Sequence, residues 1–195
     1  WEGWGGCKGR GGGGGGAWVG VGAVGAGASG RWEEGWGGKG CAVACGVGGI
    51  ASGCVGEWGG GGRGVASLAE VDGLRGISQS DSRSRGRLAD KHAGHACGHN
   101  LFGAGSLTAA IAVKRWLEAT GTPGRIRLYG TPAEEGGSGK VYMARAGLFD
   151  DVDTAIHWHA SDENSAAAQT SLANRSAKFR FKGVSAHAAA APERG

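Results

Sequence analysis

The sequence predicts an α/β domain with a largely parallel sheet, present in part rather than whole. Three observations carry that expectation. From Val65 onwards strand-like runs alternate with helix-like ones; the loops after those runs are rich in Cys, His, Asp and Glu; and the text before Val65 has a different composition altogether.

Residues 1–64 draw on ten residue types and hold 29 of the 45 glycines. Ordering so much glycine is costly in backbone entropy, so this segment is expected to be disordered, without a packed core. Two origins fit it: a GC-rich gene read in the wrong frame, with the polar stretch 80–93 as a second such patch, or a genuine Gly-rich flexible tail. Four of the five cysteines lie here, Cys7, Cys41, Cys45 and Cys54. Cys41 and Cys45 have the spacing of a loose zinc-finger half-site, but no second half follows, and incidental thiols are the plainer reading.

"VASLAEVDGL" (65–74) reads as a short buried strand running into an acidic loop with Glu70, Asp72 and Gly73. "SQSDSRSRGRLADKHAG" (78–94) is polar and aperiodic, hence a loop. Over 101–119, Leu101, Leu107, Ala110, Ile111, Val113, Lys114 and Leu117 mark a helix, which "GTPG" ends. "RIRLYGT" (125–131) alternates as a strand does, "PAEEGGSG" (132–139) is a loop, "KVYMARAGLF" (140–149) a short helix and "TAIHWH" (154–159) a strand. In "SAKFRFKGVSAH" (176–187) Ala177, Phe179 and Phe181 alternate with Lys178, Arg180 and Lys182, the pattern of a half-exposed strand opening a second domain.

The formal charge of +4 is spread thinly, and no basic block marks a nucleic-acid footprint. No apolar run reaches 18 residues, and "AWVGVGAVGAGAS" lacks the charged start of a signal peptide. These features predict a soluble, cytoplasmic chain with no nucleic-acid or membrane partner.

Polar clusters recur where an open α/β sheet collects its chemistry, beyond the carboxyl ends of strands. Cys97 and His99 stand in "HACGHN", Glu134 and Glu135 follow strand 125–131, and His157 and His159 end strand 154–159. A thiolate, imidazoles and carboxylates are the donors of a zinc or manganese site. Adjacent carboxylates allow a division of labour, one on the metal and one free as general base. In a strand, 157 and 159 share a face and Trp158 takes the other. Each element alone has a plain structural reading, since a lone Cys or His is usually packed or exposed and "EEGG" is an ordinary acidic turn; the signal is the combination.

"GHACGHNLFGAGSLTAAIAVKRWLEATGTPGRIRLYGTPAEEGGSGKVYMARAGLFDDVDTAIHWH" resembles the amidohydrolase branch of the aminoacylase/carboxypeptidase metallopeptidase superfamily. It is nearest to the p-aminobenzoyl-glutamate hydrolases, with the indole-acetyl-amino-acid hydrolases more distant. "LAEVDGLRGISQ" resembles that group's "GEYDALPGLSQ" segment, and "FKGVSAHAAAAPERG" the start of its lid, or dimerisation, domain. The resemblance spans about 65–79 and 94–195.

It implies a zinc-peptidase-like catalytic domain over 65–173 and the first strand of an α+β lid over 174–195. It also implies two divalent metal ions, zinc or manganese, held by Cys97, His99, Glu135 and His159. Glu134 would be the general base, His187 the lid histidine that steadies an oxyanion, and Asp72 an orienting residue behind the ligands. His157 is the weaker histidine. The substrate would be a small N-acyl or aminobenzoyl amino acid, and the full-length relatives would be homodimers or heteromers with a paralogous subunit. Departures are Ala160 and Arg75, each where the group has Pro. The chain is therefore expected to be an incomplete enzyme, short of the rest of the lid and of a returning segment with one further metal-binding His.

The rival expectations are an inactive fragment and a Gly-rich chain that binds RNA or protein. Gly-rich RNA binders repeat Arg and aromatics in units such as RGG, whereas Arg is sparse here and its spacing irregular.

Overall fold

The computed structural model describes residues 33–166, 170–175 and 177–195. The chain divides into two compact units at Ser161/Asp162, where sequence had set the division at 173/174.

Among the described residues the first unit is built on a five-stranded sheet: β1 (Ala42–Cys45), β2 (Cys54–Gly60), β3 (Gly64–Glu70), and two later strands that flank β3, Gly124–Thr131 and Thr154–Ile156. Between them a two-residue ladder, β4 (Leu74–Arg75) with β5 (Ala93–Gly94), closes the base of the polar loop. The later strands are thus β6 (Gly124–Thr131) and β7 (Thr154–Ile156), and the spatial order is β1-β2-β6-β3-β7. β6, β3 and β7 are mutually parallel, whereas β1 and β2 join antiparallel. The sheet is mixed, a correction to the largely parallel one expected.

The central strand β6 is buried on both sides, and its alternation assigns each residue to a layer. Ile126 and Leu128 join Trp36, Ala69, Val71 and Ala110 in one apolar cluster, under helix α1 (His99–Thr120). Tyr129 joins Val55 and Ala66 on the other side, against Leu148, Phe149 and Val152. Helix α1 turns Phe102, Ser106, Ala110 and Leu117 inward, spaced as one helical face requires.

Beside Tyr129, Arg127 points the same way and is almost fully buried. It bonds Asp151 with two nitrogens, at 2.6 and 2.9 Å, and its Nε donates to Glu57 at 2.6 Å. Burial alone lowers a guanidinium's affinity for its proton, but Asp151, Tyr129 and Glu57 more than reverse that, so Arg127 stays charged.

Residues 33–64 overturn the expectation of disorder. A wide helical turn, Glu33–Gly37, places Trp36 fully inside, and β1 and β2 extend the sheet. Here glycine is used for close approach: a Cβ on Gly56 would lie 1.9 Å from the Trp36 ring, so only glycine lets the indole rest on β2. Cys45 and Cys54 face each other across β1 and β2 as a disulfide, and Cys41 is buried and free. That removes the zinc half-site spacing and the reading of all these thiols as incidental. The expectation for residues 1–32 lies outside the described residues.

Three local readings also change. A short helix α2 (Glu134–Gly137) forms within the expected loop, helix α3 (Gly139–Arg145) is shorter than 140–149, and β7 ends at Ile156. In the second unit the described residues of 176–187 form no strand. Phe179 and Phe181 are almost wholly exposed there, and a strand without a partner to accept its hydrogen bonds gains nothing from its alternation. Among the described residues no helix is long and apolar enough to cross a membrane.

Candidate metal centre

Because β6, β3 and β7 are parallel neighbours, their carboxyl ends open on one side of the sheet. Glu70 closes β3 and Asp72 follows; Glu134 and Glu135 follow β6; His157 and His159 follow β7. Helix α1 adds His99 at its first position, after Gly98, whose φ of 83° is a left-handed conformation that glycine adopts without strain. Gly98 thereby turns the chain between Cys97 and His99. Ala133, before Glu134, takes φ 60° without that freedom, a local strain of roughly 1 kcal/mol next to the carboxylate pair.

His99 is the buried hub. Its Nδ1 lies 3.1 Å from the Asp72 carbonyl oxygen and 3.2 Å from Asp72 Oδ1. A carbonyl only accepts, so Nδ1 donates to it, and Nε2 is the ring nitrogen left facing the acids. Nε2 lies 2.9 Å from Glu70 Oε2, 3.9 Å from Glu134 Oε2 and 4.0 Å from Glu135 Oε1. Asp72 also accepts the Glu135 backbone N–H through Oδ2 at 2.9 Å. Cys97 Sγ and His159 Nε2 are 3.4 Å apart.

Helix α1 also positions the histidine tripeptide. Phe102 meets the rings of His157, Trp158 and His159 edge-on, at 4.9, 5.2 and 6.1 Å between centroids. Trp158 Nε1 donates to Ser106 Oγ at 3.0 Å, and Ser106 Oγ donates to the Leu68 carbonyl at 2.8 Å. With Trp158 held on the helix, the two histidines turn to Glu70: His157 Nε2 is 3.2 Å from Oε1, and His159 Nε2 is 3.9 Å from Oε2. The shared face expected of 157 and 159 is present although the strand stops at 156.

Two triads each bring their donor atoms within 4.8 Å of one another: Cys97, His99 and His159, and Glu70, His99 and Glu134. Glu70 Oε2 and His99 Nε2 are buried and make no hydrogen bond, although they are 2.9 Å apart. Buried polar atoms are normally paired, so facing donor atoms of this kind fit a cation between them. Glu135 sits at the margin, in neither triad. His187 belongs to the second unit, where its Nδ1 accepts the backbone N–H groups of Ala189 and Ala190.

Burial and neighbouring charges set the electrostatics of the site. Burial pushes the Glu70 carboxyl up, but the Lys140 ammonium and His157 together hold it below the usual carboxylate range. Desolvation, then the carboxylates of Glu135, Glu134 and Glu70, raise the Cys97 thiol above its ordinary value.

Sequence reasoning missed Glu70 and Lys140 as parts of the site. Glu70 and Asp72, two apart in an extended segment, share a side; that was the available signal, and Lys140 had none.

The sequence profile of Peptidase family M20/M25/M40 matches residues 71–190. The chain is 48% identical over 132 residues to one of the component polypeptides of p-aminobenzoyl-glutamate hydrolase from Escherichia coli (strain K12), covering 67% of this chain and 27% of that protein. It is 38% identical over 104 residues to a Xaa-Arg dipeptidase of Mus musculus, covering 52% and 24%. The chain thus spans about a quarter of these relatives. In fold it is similar to the Bacillus subtilis YXEP protein, described as a dinuclear metal binding peptidase, with a TM-score of 0.57 and 22% identity over 72% of this chain and 37% of that one. A match over more than half its length, on the segment that carries Asp72, Cys97, His99, Glu134, Glu135 and His159, places this chain in Peptidase family M20/M25/M40.

Proposed function

We propose that the chain is part of a cytoplasmic metal-dependent amidohydrolase that cleaves the amide between an N-acyl or aminobenzoyl group and an amino acid such as glutamate. The observation that carries it is the pair of unpaired buried donors, Glu70 Oε2 and His99 Nε2, beside Cys97, His159 and the Glu134/Glu135 pair. The relatives named for amide and dipeptide hydrolysis support the substrate class.

Cys97, His99, Glu135 and His159 would hold two dications, zinc or manganese, which when bound polarise a carbonyl and acidify water. The Asp72 carbonyl accepts from Nδ1 of His99 and so turns Nε2 towards the acids of the site. Glu134, about two-fifths exposed and 3.9 Å from His99 Nε2, is open to substrate and takes the proton from the attacking water, then passes it to the leaving amine. His187 steadies the oxyanion of the tetrahedral intermediate, the role that the resemblance implies for it. The assembly is a homodimer or a heteromer with a paralogous partner; the hydrolase of Escherichia coli is made of two different polypeptides, and the chain is similar to both.

The test is metal titration of the chelator-washed chain with Zn²⁺ and Mn²⁺, with Cys97→Ala and Glu135→Ala in parallel, followed by assay of glutamate release from p-aminobenzoyl-glutamate. Stoichiometric binding lost in both variants, with release by the loaded chain, is the expected result. An unmutated chain that binds no metal overturns the proposal.

A further inference from the structure

Glu70 is a carboxylate inside the protein whose Oε2 faces His99 Nε2 although it is not one of the four ligands named above, and it lies just outside the segment that the family profile matches. Its two oxygens have different surroundings. Oε1 receives the Lys140 ammonium and faces His157 Nε2 at 3.2 Å. Oε2 is buried, has no hydrogen bond, and lies 2.9 Å from His99 Nε2 and 3.9 Å from His159 Nε2.

We propose that Glu70 is itself a metal ligand, giving Oε2 to the same ion as His99 Nε2, with Lys140 as the cation that engages the other oxygen. The inference rests on the metal-centre reading above and adds a donor to it.

A carboxylate kept only for a structural ion pair is stable when both oxygens are satisfied, because each buried unpaired acceptor costs about 1–3 kcal/mol. Glu70 meets that condition at Oε1 alone. Oε2 instead lies 2.9 Å from the ring nitrogen that faces away from Asp72, and both atoms are buried without a hydrogen bond. Donor atoms bound at about 2.0–2.2 Å to one tetrahedral zinc ion lie roughly 3.3–3.6 Å apart, so Oε2 and Nε2, 2.9 Å from each other, need to part by only a few tenths of an ångström to share an ion. An oxygen and an imidazole nitrogen on one ion suit zinc and manganese alike. The site also exists without ordering by metal: β3 carries Glu70, helix α1 carries His99, and α3 carries Lys140, so three packed elements hold the donors in place.

The experiment compares the full chain with Glu70→Gln, Glu70→Asp, Lys140→Met and Cys97→Ala. Zn²⁺ affinity is read by competition with a chromophoric chelator, Co²⁺ binding by its visible d–d spectrum, and folding by circular dichroism. Expected for Glu70→Gln is a Zn²⁺ affinity lowered by more than about 100-fold, beyond what outer-shell changes cost, together with an altered Co²⁺ spectrum. Lys140→Met leaves the affinity unchanged or raises it, since it removes a positive charge from beside the ion. If Glu70→Gln does not fold, Glu70→Asp decides: it keeps the charge but draws the oxygen back by one bond, so its Co²⁺ spectrum must change. A Co²⁺ spectrum identical to that of the unmutated chain in the folded Glu70 variant overturns the proposal. So does an equal loss of affinity in Glu70→Gln and Lys140→Met, which marks the pair as structural. Failure of Cys97→Ala alone to bind leaves the metal centre standing and removes Glu70 from it, whereas an unmutated chain that binds no metal removes both.

Discussion

His99 Nδ1 lies 3.1 Å from the carbonyl oxygen of Asp72, while the carboxylate of the same Asp72 accepts the backbone N–H of Glu135 at 2.9 Å. One residue at the end of β3 therefore orients a ring on helix α1 and the loop beyond β6. Asp72→Ala keeps that carbonyl but removes the carboxylate, which stands 3.2 Å from Nδ1 and accepts from Glu135, and is expected to weaken Zn²⁺ binding by about 10–100-fold with the fold retained. Chelator competition checks it, and an unchanged affinity would show that the backbone carbonyl of residue 72 and packing suffice to hold His99.

Gly98 is the second lever on the same ring. At φ 83°, with a Cβ that would stand 3.2 Å from Ala160, Gly98→Ala strains the turn between Cys97 and His99. A stability loss of about 1 kcal/mol or more is expected in urea unfolding, and Zn²⁺ affinity should fall with it. A variant as stable as the unmutated chain would place the turn in another conformation.

Trp36 on Gly56 ties the Gly-rich segment to the sheet. Gly56→Ala puts a methyl where the indole lies, and overpacking of this kind costs about 1–3 kcal/mol. The midpoint of urea unfolding and the Trp fluorescence maximum should both shift. No change in either would mean that residues 33–64 do not pack as described.

The Arg127–Asp151 pair sets an acid limit. The Arg127 guanidinium holds the Asp151 carboxyl below the usual carboxylate range. A depressed folded-state value means that the pair's contribution is fully present above the unfolded value, about 3.9, and disappears as pH falls through the folded one. Asp151→Asn should be less stable than the unmutated chain at pH 7, with the gap narrowing to nothing at the acid end. Asp151 is partly exposed, so the gap is modest and shrinks in salt. Urea midpoints measured from about pH 7 down to about pH 2.5 test this, and a pH-independent gap would assign the loss to shape rather than charge.

Helix α1 and β6 were legible because their signals are local. A 3.6-residue apolar period ended by Gly and Pro, and a period of two, need no knowledge of the rest of the chain. The paired Phe179 and Phe181 carry an equally clear period, yet 177–187 is not a strand, since pairing is decided by what lies alongside. The reverse holds for β1 and β2: β1 is four residues long, β2 is glycine-rich, and neither alternates, yet they are strands because β6 offers β2 an edge from Cys54↔Gly130 to Gly60↔Gly124, and Trp36 covers the join.

The site divides in the same way. By itself the sequence determined the donor types and their order, Cys97 with His99, Glu134 with Glu135, His157 with His159, since these are written as short motifs at the ends of periodic runs. Only the tertiary structure decided which of them meet. Parallel pairing of β6, β3 and β7 brings their carboxyl ends to one side, and α1 and α3 deliver His99 and Lys140 to Glu70 from far along the chain. Donor identity is a property of residues and can be read one at a time; a buried oxygen left without a hydrogen bond is a property of its surroundings, and those exist only once the chain has packed.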